Sequence, residues 1–394
     1  MPDKRLLLVT DHVYFEYKGE YFDNFGFNYD FFTSYLQVFD HVDVLCRMVE
    51  VDSSKGLVKS SGDGVSFHGT PDIHGMKWFL NSKKYFEKHL DLIKSTDAIC
   101  YRIPATAAWN VHVLNRALAE PKPHMFEFIG DPMDALFSVT DSALKRFVMT
   151  QVGKVHMRRM KAISDSAVSG SYVSQFHLQK KFPPPTGVET EAISSIRLNE
   201  EYLRKEPKPQ RLESKLKIIQ VASFVRQKNQ TYLIDILREL HNRGIEAEVH
   251  FVGTGPLQTE ARAYAKDKGV SKDVLFHNQI TGFDNVVKLL DGCDIFCLPS
   301  FSEGVPRSMI EAMARGLVCV GTDIGGIDEL IPNEFRFPIG KPKVAADVIS
   351  RLIPMKDDWP AIGERNTKKA AEFGQSILVP RRKKVYEQLR KHTE

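Results

Sequence analysis

Long hydrophobic runs, a cysteine framework and a large excess of one charge are all missing from this sequence of 394 residues. The first apolar run covers only positions 6–9, which is too short for a signal-peptide core or a membrane span, and no later run reaches eighteen residues. The five cysteines are odd in number and scattered, which argues against a disulfide scaffold and against a zinc site. We expect a globular protein of the reducing cytoplasm, for which any membrane contact is peripheral.

The charges nearly balance. Lys and Arg number 54 and Asp and Glu number 50, and this net charge of +4 is too small for a protein that binds nucleic acid. The segment after Pro380 alone holds six basic and two acidic residues. This tail and the basic segment 157–161 suit either an anionic membrane surface or a solvated helix face, and the sequence leaves both open.

Short apolar runs alternate with helical patterns along the whole chain, which predicts parallel sheets built from βαβ units. A polar segment, 197–214, separates two such series and is a linker by composition. We therefore predict an N-terminal Rossmann-like domain at 1–195, a second Rossmann-like domain at 196–370, and a helical tail at 371–394 that can cross back to the first domain. The predicted strands are 5–10, 43–47, 97–102, 125–129 and 167–170 in the first series, and 217–222, 248–253, 274–276, 294–299 and 318–321 in the second.

Two doubly wound domains facing one another across a cleft would bring the carboxyl ends of both sheets to one ligand site, since open α/β sheets bind ligands at those ends. Within the tail, Pro380 is expected to kink or break the helix because it lacks a backbone N–H group.

The most informative segment is 294–316, which predicts a strand, a loop and a helix. A buried strand ends near Leu298, Pro306 suits the first turn of a helix, and Gly316 ends that helix. Such a junction directs free amide groups and the positive end of the helix toward a ligand, so a phosphate group is the expected guest.

Two carboxylates accompany this helix. Glu303 precedes it and Glu311 lies about a turn and a half inside it, so the two would contact different parts of one extended ligand. The alternatives are a solvated loop acid for Glu303 and an ion pair of Glu311 with Arg307 or Arg315 on the helix surface. Spacing alone does not decide between them.

The two glutamates, with seven residues between them, resemble the paired-glutamate motif of the retaining family 4 glycosyltransferases, which have the two-domain GT-B fold. Segments 252–256, 280–283 and 321–330 resemble further parts of that family. The resemblance is strong over about 215–331 and weaker in the first half of the chain.

Carried over to this sequence, the resemblance implies a site for a nucleotide sugar. Glu311 would hold the ribose hydroxyl groups, and Glu303 would face the transferred sugar. Gly304, Val305 and the neighbouring Arg307 would offer amide groups to sugar hydroxyls and diphosphate.

The family also implies a cationic clamp for the diphosphate, an Arg followed five residues later by a Lys. Lys228 matches the Lys, whereas Ser223 stands where the Arg is expected, and Arg226 is the candidate for the missing charge. The alternative is a pair of solvated surface cations.

The remaining implied contacts are looser. Gly253 lies in the strand-end turn, and Gly282 and Phe283 lie in the segment that contacts the nucleobase. Asp131 follows a strand of the first domain where family members carry a residue that contacts the donor sugar, or it caps the following turn. Arg102 also follows a strand and either binds an anionic acceptor or is exposed to solvent.

Aromatic residues are concentrated after the first strand, in what the sequence predicts to be a long loop. Their rings either stack on sugars or form a small core beneath the loop. These residues are Tyr14, Phe15, Tyr17, Tyr21, Phe22, Phe25, Phe27 and Tyr29.

The resemblance implies transfer of a sugar, with retention of configuration, from a UDP- or GDP-sugar to a carbohydrate or lipid-linked glycan acceptor, in bacterial surface polysaccharide synthesis. It implies no metal and no cofactor beyond the donor. A GT-B-like epimerase or phosphorylase is one alternative. Another alternative is a glycan- or nucleotide-binding protein that has lost catalysis, because Ser223 stands where the family has an arginine.

Overall fold

The computed structural model describes residues 3–24, 26–73, 75, 78, 82–133, 143–208, 215–280 and 282–394. The chain forms two compact units. The first comprises Met1–Pro132, Thr150–Ile193 and Leu378–Glu394, and the second comprises Met133–Met149 and Ser194–Ile377. Of the expected linker, residues 209–214 lie outside the described part.

The described residues of the first unit form a largely parallel sheet of nine strands in the order β4-β2-β1-β6-β7-β8-β9, with β3 pairing β1 and β5 pairing β3. Its strands are β1 (Arg5–Tyr17), β2 (Glu20–Asp23), β3 (His41–Glu50), β4 (Val58–Lys59), β5 (Val65–Pro71), β6 (Ala98–Ile103), β7 (His124–Phe128), β8 (Ser169–Tyr172) and β9 (Glu189–Ala192). The helices up to residue 181 are α1 (Tyr29–Leu36), α2 (Lys83–Glu87), α3 (Leu90–Ser95), α4 (Thr106–Arg116), α5 (Ala143–Asp165) and α6 (His177–Lys181). All lie in the first unit except the start of α5, which belongs to the second unit.

Both faces of this sheet are buried, which explains why its central strands are continuous apolar runs. In β1, Leu7 and Val9 belong to the core on one face, whereas Leu6 and Leu8 belong to the core on the other. Successive side chains of a strand point to opposite faces, so one run of four residues supplies both cores.

The aromatic segment after the first strand is not a loop, as expected, but a continuation of β1 and a hairpin. β1 extends to Tyr17 and pairs with β2 in an antiparallel register. The two residues between them, Lys18 and Gly19, both have positive φ, as a two-residue hairpin turn requires. Tyr14 is buried in the core, which fits the small-core alternative for that ring, and Phe25 lies outside the described residues.

The second unit is built on a parallel sheet of six strands in the order β12-β11-β10-β13-β14-β15 across the part that is described. The strands are β10 (Leu216–Val221), β11 (Ala247–Val252), β12 (Val274–Phe276), β13 (Ile295–Leu298), β14 (Val318–Thr322) and β15 (Arg336–Phe337). The helices are α7 (Gln230–Asn242), α8 (Gln258–Asp267), α9 (Phe283–Gly292), α10 (Arg307–Ala314), α11 (Pro342–Leu352), α12 (Trp359–Ala371) and α13 (Gln375–Lys391), the last of which contains the boundary between the units.

The strand order of the second unit reverses between β10 and β13, which pair with each other. Open α/β sheets bind ligands outside the carboxyl ends of the strands at such a reversal. The loop after β10 carries Ser223, Arg226 and Lys228, and the loop after β13 carries Glu303.

Pro380 does not break the C-terminal helix: α13 runs from Gln375 to Lys391 with Pro380 inside it, so the predicted break is wrong and the kink stays a prediction. The proline lies near the start of the helix and removes one hydrogen bond, while Val385, Tyr386 and Leu389 are buried in the core of the first unit and hold the helix in place. Among the helices described, none is both long and apolar enough to cross a membrane.

Candidate active site

An ion pair joins the loop after β10 to the loop after β13. The Lys228 Nζ donates to Glu303 Oε1 at 2.6 Å, and the Ser300 hydroxyl donates to the same oxygen at 2.6 Å. Glu303 is only 7% exposed, so the alternative of a solvated loop acid does not describe it. Lys228 is likewise not a solvated cation, because its charge is held against this carboxylate.

Backbone contacts fix the two loops around this pair. The side-chain amide of Gln227 donates to the carbonyl of Ser302 at 2.7 Å, and the backbone amide of Phe301 donates to the carbonyl of Gln227 at 2.8 Å. Thr322, at the end of β14, donates its hydroxyl to the carbonyl of Ser300 at 2.7 Å. The carboxylate is therefore positioned by side chains and backbone from three neighbouring strand ends.

Free amide groups follow Glu303. Pro306 is the N-cap of α10, and the amides of Gly304 and Val305 donate to no residue in the described part of the chain. The amide of Arg307 belongs to the first turn of the helix, where no carbonyl within the helix is available to it. These amides form the kind of site that binds an anion or sugar hydroxyls.

Gly326 supports the amide-bearing loop from the segment after β14. It has a φ of +74°, and a Cβ atom there would lie 1.2 Å from the carbonyl oxygen of Gly304. Only glycine permits both this backbone conformation and this close approach.

Glu311 is partly buried inside α10 and has no hydrogen bond or ion pair with any residue that the structure describes. Arg315, its predicted alternative partner, instead donates to both carboxylate oxygens of Asp291 at 2.9 and 2.7 Å. Burial raises the pKa of Glu311 above its ordinary value, and the positive charge of Arg307 partly opposes this shift. Glu311 is thus a carboxylate with unused hydrogen-bonding capacity.

The other predicted cation on the β10 side has different surroundings. Arg226 begins a short 3₁₀ turn, Arg226–Lys228, and lines a cavity of about 300 Å³ together with Leu257, Glu260 and Phe301. Ser223 accepts a hydrogen bond at its carbonyl from the Gln230 side chain. The cation that contacts Glu303 is Lys228.

Gly253, Gly282 and Phe283 have clear local roles. A Cβ atom on Gly253 would lie 2.2 Å from the carbonyl oxygen of Ala222, so a glycine lets the two strand ends approach. Gly282 has a φ of +80° and is the N-cap of α9. Phe283 packs edge-on against Tyr202, with ring centroids 4.6 Å apart.

Asp131 lies in the first unit, just after β7, where its buried carboxylate forms an ion pair with Lys181. Arg102 is also buried: its guanidinium donates to Glu127 Oε2 at 2.7 Å. The alternative of an exposed loop residue is therefore wrong, since Arg102 is buried within β6, and anion binding by Arg102 stays a prediction.

Sequence reasoning did not select Ser300, Thr322 or Gly326. Ser300 and Thr322 carry no charge and match no motif. Both lie at strand ends, where any polar residue is a candidate ligand-binding residue, so their position alone did not single them out. Gly326 lies in a segment that resembles the family, but its close approach to Gly304 depends on the fold.

Comparison with known proteins fits this geometry. Residues 203–371 match the family model described as "Glycosyl transferases group 1". The chain is 27% identical to protein CapJ of Staphylococcus aureus over 345 residues, which is 86% of this chain and 83% of that protein. It is 29% identical to the amylovoran biosynthesis glycosyltransferase AmsK of Erwinia amylovora over 191 residues, 45% of this chain and 46% of that protein. Among solved structures, Anabaena Alr3699/HepE in complex with UDP and glucose superposes with a TM-score of 0.67 at 15% identity, covering 98% of this chain and 99% of that one.

The two α/β units have the GT-B fold, and the family-model match together with the relatives identifies the chain as a glycosyltransferase. The segment 203–371, which carries Lys228, Glu303 and Glu311, is the part of the chain that matches the glycosyl transferases group 1 model.

Proposed function

We propose that this glycosyltransferase transfers a sugar from a UDP- or GDP-sugar to a carbohydrate or lipid-linked glycan acceptor, with retention of anomeric configuration, in the synthesis of a bacterial surface polysaccharide. The observation that carries the proposal is the contact of Lys228 with Glu303 directly before the free amides of Gly304 and Val305. The relative named for amylovoran biosynthesis supports the polysaccharide setting.

The diphosphate of the donor would lie against the amides of Gly304 and Val305 and the ammonium group of Lys228. As the bond between the sugar and the diphosphate breaks, negative charge develops on the leaving oxygen. A fixed cation and preorganised amides stabilise that charge, and one such donor contributes about 3 to 4 kcal/mol. Glu303 orients Lys228 and accepts a hydrogen bond from a hydroxyl group of the transferred sugar.

Retention follows if the acceptor oxygen attacks the anomeric carbon from the face that the diphosphate leaves. The new carbon–oxygen bond forms as the bond to the diphosphate breaks, and the proton of the acceptor hydroxyl moves to the departing diphosphate oxygen. Glu303 then needs no covalent bond to the sugar. Analysis of the product anomer by proton NMR tests this step.

Glu311 is proposed to accept hydrogen bonds from the ribose hydroxyl groups. Its carboxylate has no partner among the described residues, and a diol donates two hydrogen bonds to one carboxylate. Binding of the nucleotide would therefore give hydrogen-bond donors to the Glu311 carboxylate, which is partly buried in the free protein.

We propose that the reaction needs no metal ion and no cofactor, because Lys228 and the loop amides provide the positive potential that a divalent ion provides elsewhere. Turnover that persists in excess EDTA supports this proposal, and turnover that EDTA abolishes and Mg²⁺ restores contradicts it. We place the reaction in the cytoplasm, which agrees with cysteines that are all free and buried.

The decisive assay incubates the full chain with a panel of UDP- and GDP-sugars, with and without sugar acceptors. Release of nucleoside diphosphate that depends on one donor supports transfer. Conversion of one nucleotide sugar into another without an acceptor indicates an epimerase instead.

Ser223 supports one alternative, a protein that binds nucleotide or glycan without turnover, because the clamp lacks the expected arginine. Tight binding of UDP or GDP with no release of product from any donor would favour it.

A further inference from the structure

A β-bulge in β1 places His12 at the carboxyl edge of the first sheet. Val9 of β1 pairs with Leu45 of β3, whereas Val13 pairs with Arg47, so β1 has two extra residues between these pairs. β1 is paired with β6 only as far as Val9. His12 therefore lies where β1 leaves its neighbour β6, and bulges of this kind redirect side chains near functional sites.

A buried carboxylate orients the imidazole of His12. His12 Nε2 lies 2.6 Å from Asp23 Oδ1, and the second oxygen of Asp23 accepts from the amide of Phe27 at 2.7 Å. Asp23 is 0% exposed. Because an ionised carboxylate only accepts hydrogen bonds, it places the proton of the neutral imidazole on Nε2 and leaves the lone pair on Nδ1.

This second ring nitrogen is open. Nδ1 has no hydrogen-bond partner in the described part of the chain, and it is not among the buried polar atoms that lack a partner. The His12 side chain keeps 19% of its surface exposed. The arrangement thus presents one hydrogen-bond acceptor of fixed direction at the surface of the first unit.

An aromatic surface adjoins this acceptor. The rings of His12 and Phe27 are 4.5 Å apart, and those of Phe27 and Phe31 are 4.9 Å apart. Phe27 and Phe31 are both partly exposed, and the guanidinium of Arg102 lies against their rings. The charge of Arg102 is already paired with Glu127, so the adjoining surface is aromatic and nearly neutral.

An oriented hydrogen-bond acceptor next to partly exposed rings suits a sugar, which combines hydroxyl donors with an apolar C–H face. We propose that His12 binds the sugar acceptor, with Nδ1 accepting a hydrogen bond from a hydroxyl group of a carbohydrate that rests on Phe27 and Phe31. This inference rests on the proposed glycosyl transfer, and it assigns His12 to binding, since the reacting proton goes to the diphosphate.

The rival explanation is that His12 only ties β1 to β2 through Asp23. Two substitutions separate the explanations. Each replaces the hydrogen bond of one ring nitrogen, Nε2 or Nδ1, and removes that of the other. In His12→Gln the amide nitrogen can replace Nε2 and keep the contact with Asp23, but nothing replaces Nδ1. In His12→Asn the amide oxygen can replace Nδ1, but the contact with Asp23 is lost.

The experiment measures binding of p-nitrophenyl glycosides of glucose, galactose, N-acetylglucosamine and N-acetylgalactosamine to the full chain by calorimetry, with UDP and GDP binding measured alongside. We expect His12→Gln to keep its melting temperature and its nucleotide affinity but to bind the glycoside about tenfold more weakly, and His12→Asn to lose less glycoside affinity despite a lower melting temperature.

Unchanged glycoside affinity in His12→Gln, a greater loss in His12→Asn, or no glycoside binding by the wild-type protein would overturn the inference. The outcome is separable from that of the proposed function. A wild-type protein that binds a glycoside through His12 but processes no nucleotide sugar would refute transfer and leave the sugar site in place.

Discussion

Lys228 Nζ and Glu303 Oε1 lie 2.6 Å apart, although 75 residues separate them in the sequence. Their contact brings the cation after β10 to the acid after β13, and the free amides of Gly304 and Val305 follow directly. The ion pair therefore fixes the Lys228 side chain against Glu303, the residue that directly precedes these amides, before any ligand binds.

Replacing Lys228 by Ala should lower kcat about 100-fold, because it removes a preorganised charge from the leaving group. Steady-state release of nucleoside diphosphate measures the effect, and Lys228→Arg should recover part of it. Arg226→Ala is the matched comparison, with an expected loss well below that of Lys228→Ala because Lys228 is the cation that contacts Glu303, whereas Arg226 lines a cavity with Glu260. Equal losses in both variants would show that the clamp uses both cations.

Ser300→Ala should reduce kcat by several-fold and leave nucleotide affinity nearly unchanged. The substitution removes one of the two hydrogen bonds that orient Glu303 but keeps its ion pair with Lys228. Steady-state kinetics gives kcat and calorimetry gives the nucleotide affinity, both measured on the same preparation. A loss confined to nucleotide affinity would contradict the assignment of Glu303 to the transferred sugar.

Glu311→Gln should stabilise the free protein at pH 7 and weaken its binding of UDP or GDP. Burial raises the pKa of Glu311 above the ordinary 4.5, so the ionised carboxylate destabilises the fold, and this penalty fades as the pH falls toward 4.5. The gain in melting temperature should shrink over the same range.

Glu364→Gln provides a control of opposite sign, because the ion pair with Lys368 lowers the pKa of Glu364. This variant should gain no stability at pH 7. A wild-type nucleotide affinity in Glu311→Gln would contradict the ribose assignment.

Gly326→Ala should disrupt the loop at Gly304, since the added Cβ would lie 1.2 Å from its carbonyl oxygen. Gly340→Ala is a matched control: its φ of +73° is almost the same, but nothing lies within 4 Å of the added atom. We expect nucleotide binding to fall sharply only in Gly326→Ala, with melting curves recorded for both. Similar binding in the two variants would show that the close approach is unimportant.

The C-terminal helix should prove essential to the first unit. The Tyr386 hydroxyl donates to Glu127 Oε1 at 2.9 Å in the core, so Tyr386→Phe should destabilise the protein by roughly 1 to 3 kcal/mol. Tyr29→Phe, which loses an exposed hydrogen bond to Asp63, should cost much less in a thermal melt. Equal melting temperatures for the two variants would contradict the structural role of the helix.

The same packing bears on the basic tail as a membrane contact. Lys384 pairs with Glu189 and Glu191, and Arg390 pairs with Asp40, so these charges are engaged within the first unit. Deleting residues 381–394 should therefore lower the yield of folded protein before any effect on vesicle binding can be measured.

The central strands were predictable because they are apolar on both faces, and each of the ten predicted strands is present. The short strands β4 and β15 have two residues each, which is too few for a periodic pattern. The continuation of β1 was missed because the bulge after Val9 interrupts its pairing.

Within the site, the motif drew attention to Glu303, Glu311 and Lys228, but it did not predict their partners. Arg315 could have paired with Glu311 four residues away, yet it bonds Asp291, which the fold brings from another helix. The pair of His12 with Asp23 depends in the same way on a hairpin that the sequence pattern did not reveal.

The most direct test of the account is a crystal structure of the full chain with UDP or GDP. We expect diphosphate oxygens within hydrogen-bond distance of the amides of Gly304 and Val305 and of Lys228 Nζ, with the ribose hydroxyls on Glu311. A nucleotide bound elsewhere, or a Glu311 carboxylate without contact to the ribose, would contradict it.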